Sequence, residues 1–122
     1  LHHRPMDIVK HFGSKLLYFY EPELLGEEGT INALSPWLND YTVVMNGDTL
    51  TNINILDMFR IAGGENIRFM VDGIYAGTRI IKPFNKEIGK DYHYFNAEAY
   101  YYDIGTWPRL LRAERFLENR KI

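Results

Sequence analysis

The 122-residue chain contains no cysteine, which excludes disulfide bonds and catalysis by a thiolate. It has no apolar run that approaches the ~20 residues a membrane-spanning helix requires, and nothing near Leu1 resembles a secretion signal. The formal net charge is -2, so there is no basic excess to attract a nucleic acid. These absences predict a cytoplasmic protein that binds neither membranes nor nucleic acids.

What the sequence does contain is typical of a globular protein, with 46% hydrophobic and 15% aromatic residues. The length is sufficient for one hydrophobic core but small for an enzyme with two substrates. No internal repeat and no linker rich in proline or serine divides the chain. We therefore expect one domain over residues 1–122, and the start at Leu1 instead of methionine suits a domain that is incomplete at its N-terminus.

Helix-like and strand-like segments alternate along most of the chain. The apolar spacing predicts helices over residues 7–12, 30–38, 54–62 and from Thr106 onward, the last with a stripe of Leu110, Ala113, Phe116 and Leu117. Apolar or β-favouring runs predict strands at residues 16–20, 41–45, 67–71, 74–81 and within 92–102. This alternation predicts an α/β fold with a mainly parallel sheet and flanking helices.

The predicted strand YTVVM is followed directly by Asn-Gly-Asp, which places Asp48 just beyond a strand end. In open α/β sheets the ligand crevice lies beyond the carboxyl ends of the strands. Gly47 permits a sharp turn or a close approach to a ligand, and an isolated carboxylate suits a hard divalent ion such as Mg2+. The same composition is common in turns, where Asp48 would only cap the next segment. These three residues alone favour the turn.

A second strand-like run, YYYDIGTW, repeats this arrangement and ends at Asp103. Because Mg2+ generally takes one or two protein carboxylates and leaves its other positions to water and phosphate oxygens, two such acids are a suitable number. Asp103 could equally contribute negative charge to the N-terminus of the final helix, which stabilises a helix by roughly 0.3–1 kcal/mol. Both roles are compatible.

Several short motifs follow one another along the chain. They are Glu21-Pro22-Glu23-Leu24-Leu25-Gly26, Gly29 with Ala33-Leu34, Asn46-Gly47-Asp48-Thr49-Leu50, Gly73-Ile74-Tyr75, Tyr102-Asp103-Ile104-Gly105-Thr106 and Arg112-Ala113. In this order they resemble the motifs of the sugar-phosphate nucleotidyltransferases, which include glucose-1-phosphate thymidylyltransferase and mannose-1-phosphate guanylyltransferase. The resemblance covers nearly the whole chain and implies a Rossmann-like fold.

The resemblance implies a reaction in which a sugar 1-phosphate oxygen attacks the α-phosphorus of a nucleoside triphosphate, giving a nucleotide sugar and pyrophosphate. It implies Mg2+ as cofactor, with Asp48 and Asp103 as catalytic metal ligands. Gly29 would lie near the nucleotide base, where a side chain would obstruct the approach, and Gly47 would belong to the same nucleotide site. Gly73 would approach the sugar.

Two features of the family are missing from this sequence. The family begins with a glycine-rich loop that carries an arginine and wraps the triphosphate, and nothing before Asp7 matches it. The family's Glu-Lys-Pro block is also absent, so the lysine role is not transferred to Lys82, and Arg79 is the candidate cation for phosphate. We expect weak catalysis from this chain alone. The alternative is a degenerate module of the same fold that binds a nucleotide or a protein without transfer.

The segment 92–102 is rich in tyrosine, which is typical of base-stacking proteins and also of β-sheets. Base-stacking sites combine aromatic residues with a basic groove, whereas acidic residues are interleaved here. We therefore interpret these tyrosines as sheet residues whose hydroxyls reach solvent or a partner, and a homo-oligomer interface is a secondary expectation.

Overall fold

A computed structural model describes residues 1–82, 92–96 and 98–120. The chain forms two compact units, Leu1–Trp37 and Leu38–Ile122. The expectation of a single domain stays a prediction. Within the described ranges, no helix has both the length and the apolar character needed to span a bilayer.

The first unit contains two helices, α1 (Pro5–Phe12) and α2 (Gly26–Leu34). The prediction of α1 is confirmed, and Gly13 ends it with a positive φ of 58°. Helix α2 begins four residues earlier than the predicted Thr30, because two acidic residues in its first turn, Glu27 and Glu28, favour a helix N-terminus. A 3-10 turn over Ser35–Trp37 follows, as expected near Pro36.

The prediction of a strand at residues 16–20 is wrong. The segment pairs with no strand in the described part of this unit, and Leu17 is fully exposed. Its main-chain contacts are instead made with the N-terminus, where the Leu1 amino group donates to the Phe19 carbonyl at 2.6 Å. The Glu21 N–H donates to the Leu1 carbonyl at 2.7 Å. A β-favouring run becomes a strand only when a neighbouring strand satisfies its backbone.

The described residues of the second unit form two sheets. Its strands are β1 (Thr42–Met45), β2 (Thr49–Thr51), β3 (Ile67–Val71), β4 (Ile74–Ile81), β5 (Tyr92–Tyr94) and β6 (Tyr101–Asp103). Four of them form a sheet in the order β1-β4-β3-β5, while β2 and β6 form a separate two-stranded ribbon. The strands predicted at 41–45, 67–71, 74–81 and within 92–102 are confirmed, whereas β2 was not predicted.

The α/β class, with a mixed sheet and flanking helices, is confirmed, but parallel pairing does not dominate the described strands. Strands β3 and β5 are parallel, whereas β1–β4, β3–β4 and β2–β6 are antiparallel. The cause lies partly in Asp72-Gly73, whose φ angles of 50° and 76° form a two-residue connection between β3 and β4. Such tight connections join only antiparallel strands.

Helices α3 (Ile55–Ala62) and α4 (Trp107–Arg120) cover these sheets. The Asn54 side chain caps α3 by accepting the Asp57 N–H at 3.1 Å, and the helix packs against β3 and β5. Helix α4 packs against β6, and its Phe116 ring lies 4.9 Å from that of Tyr100 and 4.7 Å from that of Tyr102. The buried core consists of Met58, Ala62, Ile67, Phe69, Ala76, Ile80 and Tyr94.

The predicted apolar stripe of α4 is confirmed, since Ala113 is buried and its other members are half-buried. The rings of Tyr100 and Tyr102 are engaged by this helix through Phe116, which accounts for part of the tyrosine-rich segment without a second protein chain. Assembly into a homo-oligomer stays a prediction.

Candidate functional site

The two predicted acids lie at the same end of the β2–β6 ribbon. Asp48 immediately precedes β2, and Thr49 is the antiparallel partner of Asp103, the last residue of β6. The Ile104 N–H donates to the Asp48 carbonyl at 2.8 Å, which extends the pairing by one step. Residues 55 positions apart in the chain are therefore held side by side by backbone hydrogen bonds.

The carboxylates of both acids face Gly105. A methyl group built on the Gly105 Cα would lie 2.8 Å from Asp48 Oδ2 and 3.1 Å from Asp103 Oδ1. Because each oxygen lies about 3 Å from the same point, the two oxygens are at most about 6 Å apart. Two oxygens that bind one Mg2+ are about 3–4 Å apart, which is within this limit. Gly105 thus lets both carboxylates approach the same point, which a side chain at this position would block.

Asp103 is held by two further contacts. Its Oδ1 accepts the Gly105 N–H at 2.8 Å, and its Oδ2 accepts from Arg109 Nη1 at 2.8 Å. The Asp103 side chain is 38% exposed and that of Arg109 is 53% exposed, so water screens part of this ion pair. Sequence reasoning missed Arg109. The one sequence feature that could have indicated its contact with Asp103 is its place in the first turn of the helix that follows this acid.

The donor set fits Mg2+. Carboxylate oxygens are the hard ligands that this ion prefers, and two of them leave positions for water and phosphate. In the described part of the chain, no cluster of three or more His, Cys, Asp or Glu side chains could hold a metal ion. A site here would thus depend on Asp48 and Asp103 for its protein charge, and Arg109 would compete for Asp103.

The loop that carries Asp48 is fixed at its start by Gly77 of β4. Gly77 has a φ of 78°, its carbonyl accepts the Asn46 N–H at 2.8 Å, and an added methyl would lie 2.9 Å from both Asn46 Nδ2 and Thr49 Oγ1. Sequence reasoning did not identify Gly77, although a glycine inside a strand often marks close backbone approach. Gly47, in contrast, has open space where a side chain would be, and its role at a nucleotide stays a prediction.

The two residues predicted to contact substrate lie in the four-stranded sheet rather than in the ribbon. Gly73 forms part of the β3–β4 turn. Its φ of 76° is sufficient reason for a glycine at this position, and a bound ligand is not needed to explain it. Arg79 is half-buried on β4, opposite Val44 of β1 and Arg68 of β3. Their roles in binding a sugar phosphate stay predictions.

Gly29 belongs to the first unit, within α2. A methyl group at this position would lie 2.9 Å from Leu25 Cβ, so local packing alone requires a very small residue. The close approach of Gly29 to a nucleotide base stays a prediction.

Glu21, in the motif that precedes α2, is a buried carboxylate of the same unit. Its Oε1 accepts a hydrogen bond from the Thr30 hydroxyl, and its Oε2 accepts the Leu25 N–H at 3.5 Å. The Thr30 hydrogen bond lowers the pKa of Glu21 below its ordinary value near 4.5, against the opposing effect of burial. This motif residue therefore stabilises the start of α2.

Substitution Thr30→Val is expected to raise the pKa of Glu21. Because the pKa of Glu21 is lowered in the folded chain, the ionised side chain stabilises the fold at pH values above the ordinary pKa near 4.5. This stabilisation is lost as the pH falls through the folded-state pKa. Thr30→Val should therefore weaken the pH dependence of stability in this acidic range. Carboxyl chemical shifts followed by NMR across the titration would measure the pKa.

The matched control for this titration is Ser35→Ala, which removes a hydroxyl that donates to the Asn32 carbonyl and not to Glu21. This control should leave the pKa of Glu21 unchanged. An equal shift in both variants would contradict the role given to the Thr30 hydroxyl.

Comparison with known proteins supports the fold. No protein-family model and no curated protein matches the sequence. Among solved structures, the chain is similar to HddC from Yersinia pseudotuberculosis, which was crystallised in complex with GMP-PN. The match has a TM-score of 0.65 and 16% sequence identity, and it covers 95% of this chain and 76% of HddC. At this identity the likeness establishes a shared α/β fold.

Proposed function

We propose that this chain binds a nucleoside triphosphate together with Mg2+ and takes part in transfer of the nucleotidyl group to a sugar 1-phosphate. The observation that carries the proposal is that the carboxylates of Asp48 and Asp103 converge beside Gly105, where one oxygen of each lies within 3.1 Å of the same point. The motifs that resemble sugar-phosphate nucleotidyltransferases include both acids. The fold shared with HddC, a protein solved with GMP-PN, supports the nucleotide part of the proposal.

In this reaction a sugar phosphate oxygen forms a bond to the α-phosphorus, and the bond from that phosphorus to the bridging oxygen breaks and releases pyrophosphate. Such transfers depend on positioning and on neutralising phosphate charge, which a bound Mg2+ supplies. Asp48 and Asp103 would hold the ion. The ribbon hydrogen bonds fix the backbone of both acids in advance, which favours an organised site.

Substitutions Asp48→Asn and Asp103→Asn are each expected to weaken Mg2+-dependent nucleoside triphosphate binding by about tenfold or more, because each removes one of two metal-binding charges. Isothermal titration calorimetry with Mg2+ and with EDTA measures this directly on the 122-residue chain. Binding is the suitable readout, since the resemblance implies a further phosphate loop for efficient turnover.

The matched control for these substitutions is Asp57→Asn. Asp57 is 42% exposed and pairs with Arg60, much as Asp103 is 38% exposed and pairs with Arg109, but it lies on α3. This control should leave nucleotide affinity unchanged. Equal affinity with Mg2+ and with EDTA in the unmodified chain would refute the metal-dependent proposal.

A second candidate is a module of the same fold that binds a nucleotide or a protein without transfer. The ion pair between Arg109 and Asp103 favours it, because a resident cation already neutralises one of the two acids. For this candidate, calorimetry would show nucleotide binding that is insensitive to Mg2+ and to both asparagine variants. A cytoplasmic location belongs to either proposal.

A further inference from the structure

A cleft of about 220 Å³ opens beside the acid pair. It is lined by Tyr101, Tyr102, Asp103, Arg109 and Arg112. The first three residues come from β6, and the two arginines come from neighbouring turns of α4. The cleft therefore shares Asp103 with the candidate metal site.

The charges at this cleft are unequal. Arg109 pairs with Asp103, whereas Arg112 is exposed and has no carboxylate partner among residues 1–82, 92–96 and 98–120. The residues that line the cleft thus include two arginines and one carboxylate. Guanidinium groups donate pairs of parallel hydrogen bonds to phosphate oxygens, so an anion of this kind suits the cleft better than a neutral or cationic ligand.

The contact between Arg109 and Asp103 also conflicts with metal binding. Arg109 Nη1 lies 2.8 Å from Asp103 Oδ2, an oxygen of the carboxylate that would ligate Mg2+. Two cations at one carboxylate repel each other unless a further anion offsets their charge. A phosphate group in the adjoining cleft would provide that anion, and the Arg109 side chain, which is 53% exposed, has room to turn toward it.

We propose that Arg109 exchanges partners: it holds Asp103 in the free protein and pairs with a substrate phosphate when Asp103 ligates Mg2+, with Arg112 as a second phosphate donor. This inference rests on the proposed function and deepens it. By linkage, phosphate and Mg2+ then each strengthen the binding of the other. The ligand class is a phosphorylated anion, either the phosphate chain of a nucleotide or released diphosphate.

The experiment compares Arg109→Gln with the unmodified chain in three calorimetric titrations: Mg2+ alone, inorganic diphosphate in EDTA, and diphosphate with Mg2+. Arg109→Gln should bind Mg2+ alone several-fold more tightly, because a competing cation is removed. It should bind diphosphate roughly tenfold more weakly, because charge-assisted hydrogen bonds are lost. The gain in affinity that Mg2+ and diphosphate each give to the binding of the other should be smaller in Arg109→Gln than in the unmodified chain.

Two further variants assign these effects. Arg112→Gln should weaken diphosphate binding but leave the affinity for Mg2+ alone unchanged, because Arg112 has no contact with Asp103. Arg115→Gln removes an exposed arginine of α4 outside the cleft and should change neither affinity. Circular dichroism would test whether each variant is folded.

The results separate this inference from the proposed function. Unchanged diphosphate affinity in both Arg109→Gln and Arg112→Gln overturns the inference, even when the triphosphate binds with Mg2+. Unaltered Mg2+ affinity in Arg109→Gln overturns the exchange of partners. Diphosphate binding that depends on both arginines, together with metal-independent triphosphate binding, supports the phosphate cleft and refutes the proposed function.

Discussion

Substitution Gly105→Ala is expected to weaken Mg2+ binding and Mg2+-dependent nucleotide binding by about 10- to 100-fold while the chain stays folded. The added methyl would lie 2.8 Å from Asp48 Oδ2 and 3.1 Å from Asp103 Oδ1, in the space between the two carboxylates. The carboxylate of Asp48 or of Asp103 therefore has to move away from the added methyl group, so the two no longer converge. The backbone of Gly105 does not require glycine, because its φ lies outside the positive range. Calorimetric titration with Mg2+, then with triphosphate, would measure both effects.

A matched variant, Gly47→Ala, separates the metal from the nucleotide. Gly47 is adjacent to Asp48, but a methyl added there meets no atom within 4 Å. This variant should therefore keep the Mg2+ affinity of the unmodified chain. It should weaken triphosphate binding if Gly47 allows close approach of a nucleotide, as the sequence predicts. Unchanged Mg2+ affinity in Gly105→Ala would contradict a metal site between Asp48 and Asp103.

The proximity of the two acids was predictable from the sequence, but the way in which it arises was not. The prediction relied on the carboxyl ends of neighbouring strands in a parallel sheet. In the structure Asp48 precedes β2 and Asp103 ends β6, so an antiparallel ribbon brings the start of one strand to the end of another. Strand β2 is only three residues long and carries no distinctive periodicity. The ribbon was therefore not recognisable from a single sequence.

The elements that sequence reasoning located well are those with strong local signals. Helix α3 has an asparagine cap, Asn54, and a glycine at its end, Gly63, and its bounds agree with the prediction within one residue. Residues 16–20 had an equally strong apolar pattern, yet a strand requires a partner that local sequence does not specify. Local signals therefore identify helices with caps better than they identify strand pairing.

The contacts around the acids show the same limit. The resemblance to a family identified Asp48 and Asp103 because each lies in a motif of several consecutive residues. Arg109 and Gly77 act on these motifs through space, one by an ion pair with Asp103 and the other by contact with Asn46 and Thr49. Their importance depends on helix and strand placement, which a single sequence does not provide.

Substitution Gly77→Ala is expected to lower the free energy of unfolding by about 2–4 kcal/mol, through two separate costs. A φ of 78° strains any residue with a side chain, and the methyl would lie 2.9 Å from both Asn46 Nδ2 and Thr49 Oγ1. Chemical denaturation would measure the loss.

Gly73→Ala is the matched control, because its φ of 76° imposes the first cost while open space removes the second. Gly73→Ala should therefore cost about 1–2 kcal/mol. Equal losses in the two variants would mean that Gly77 does not fix the Asp48 loop by close packing. A larger loss at Gly77, accompanied by weaker Mg2+ binding, would show that the four-stranded sheet positions the acid at the ribbon.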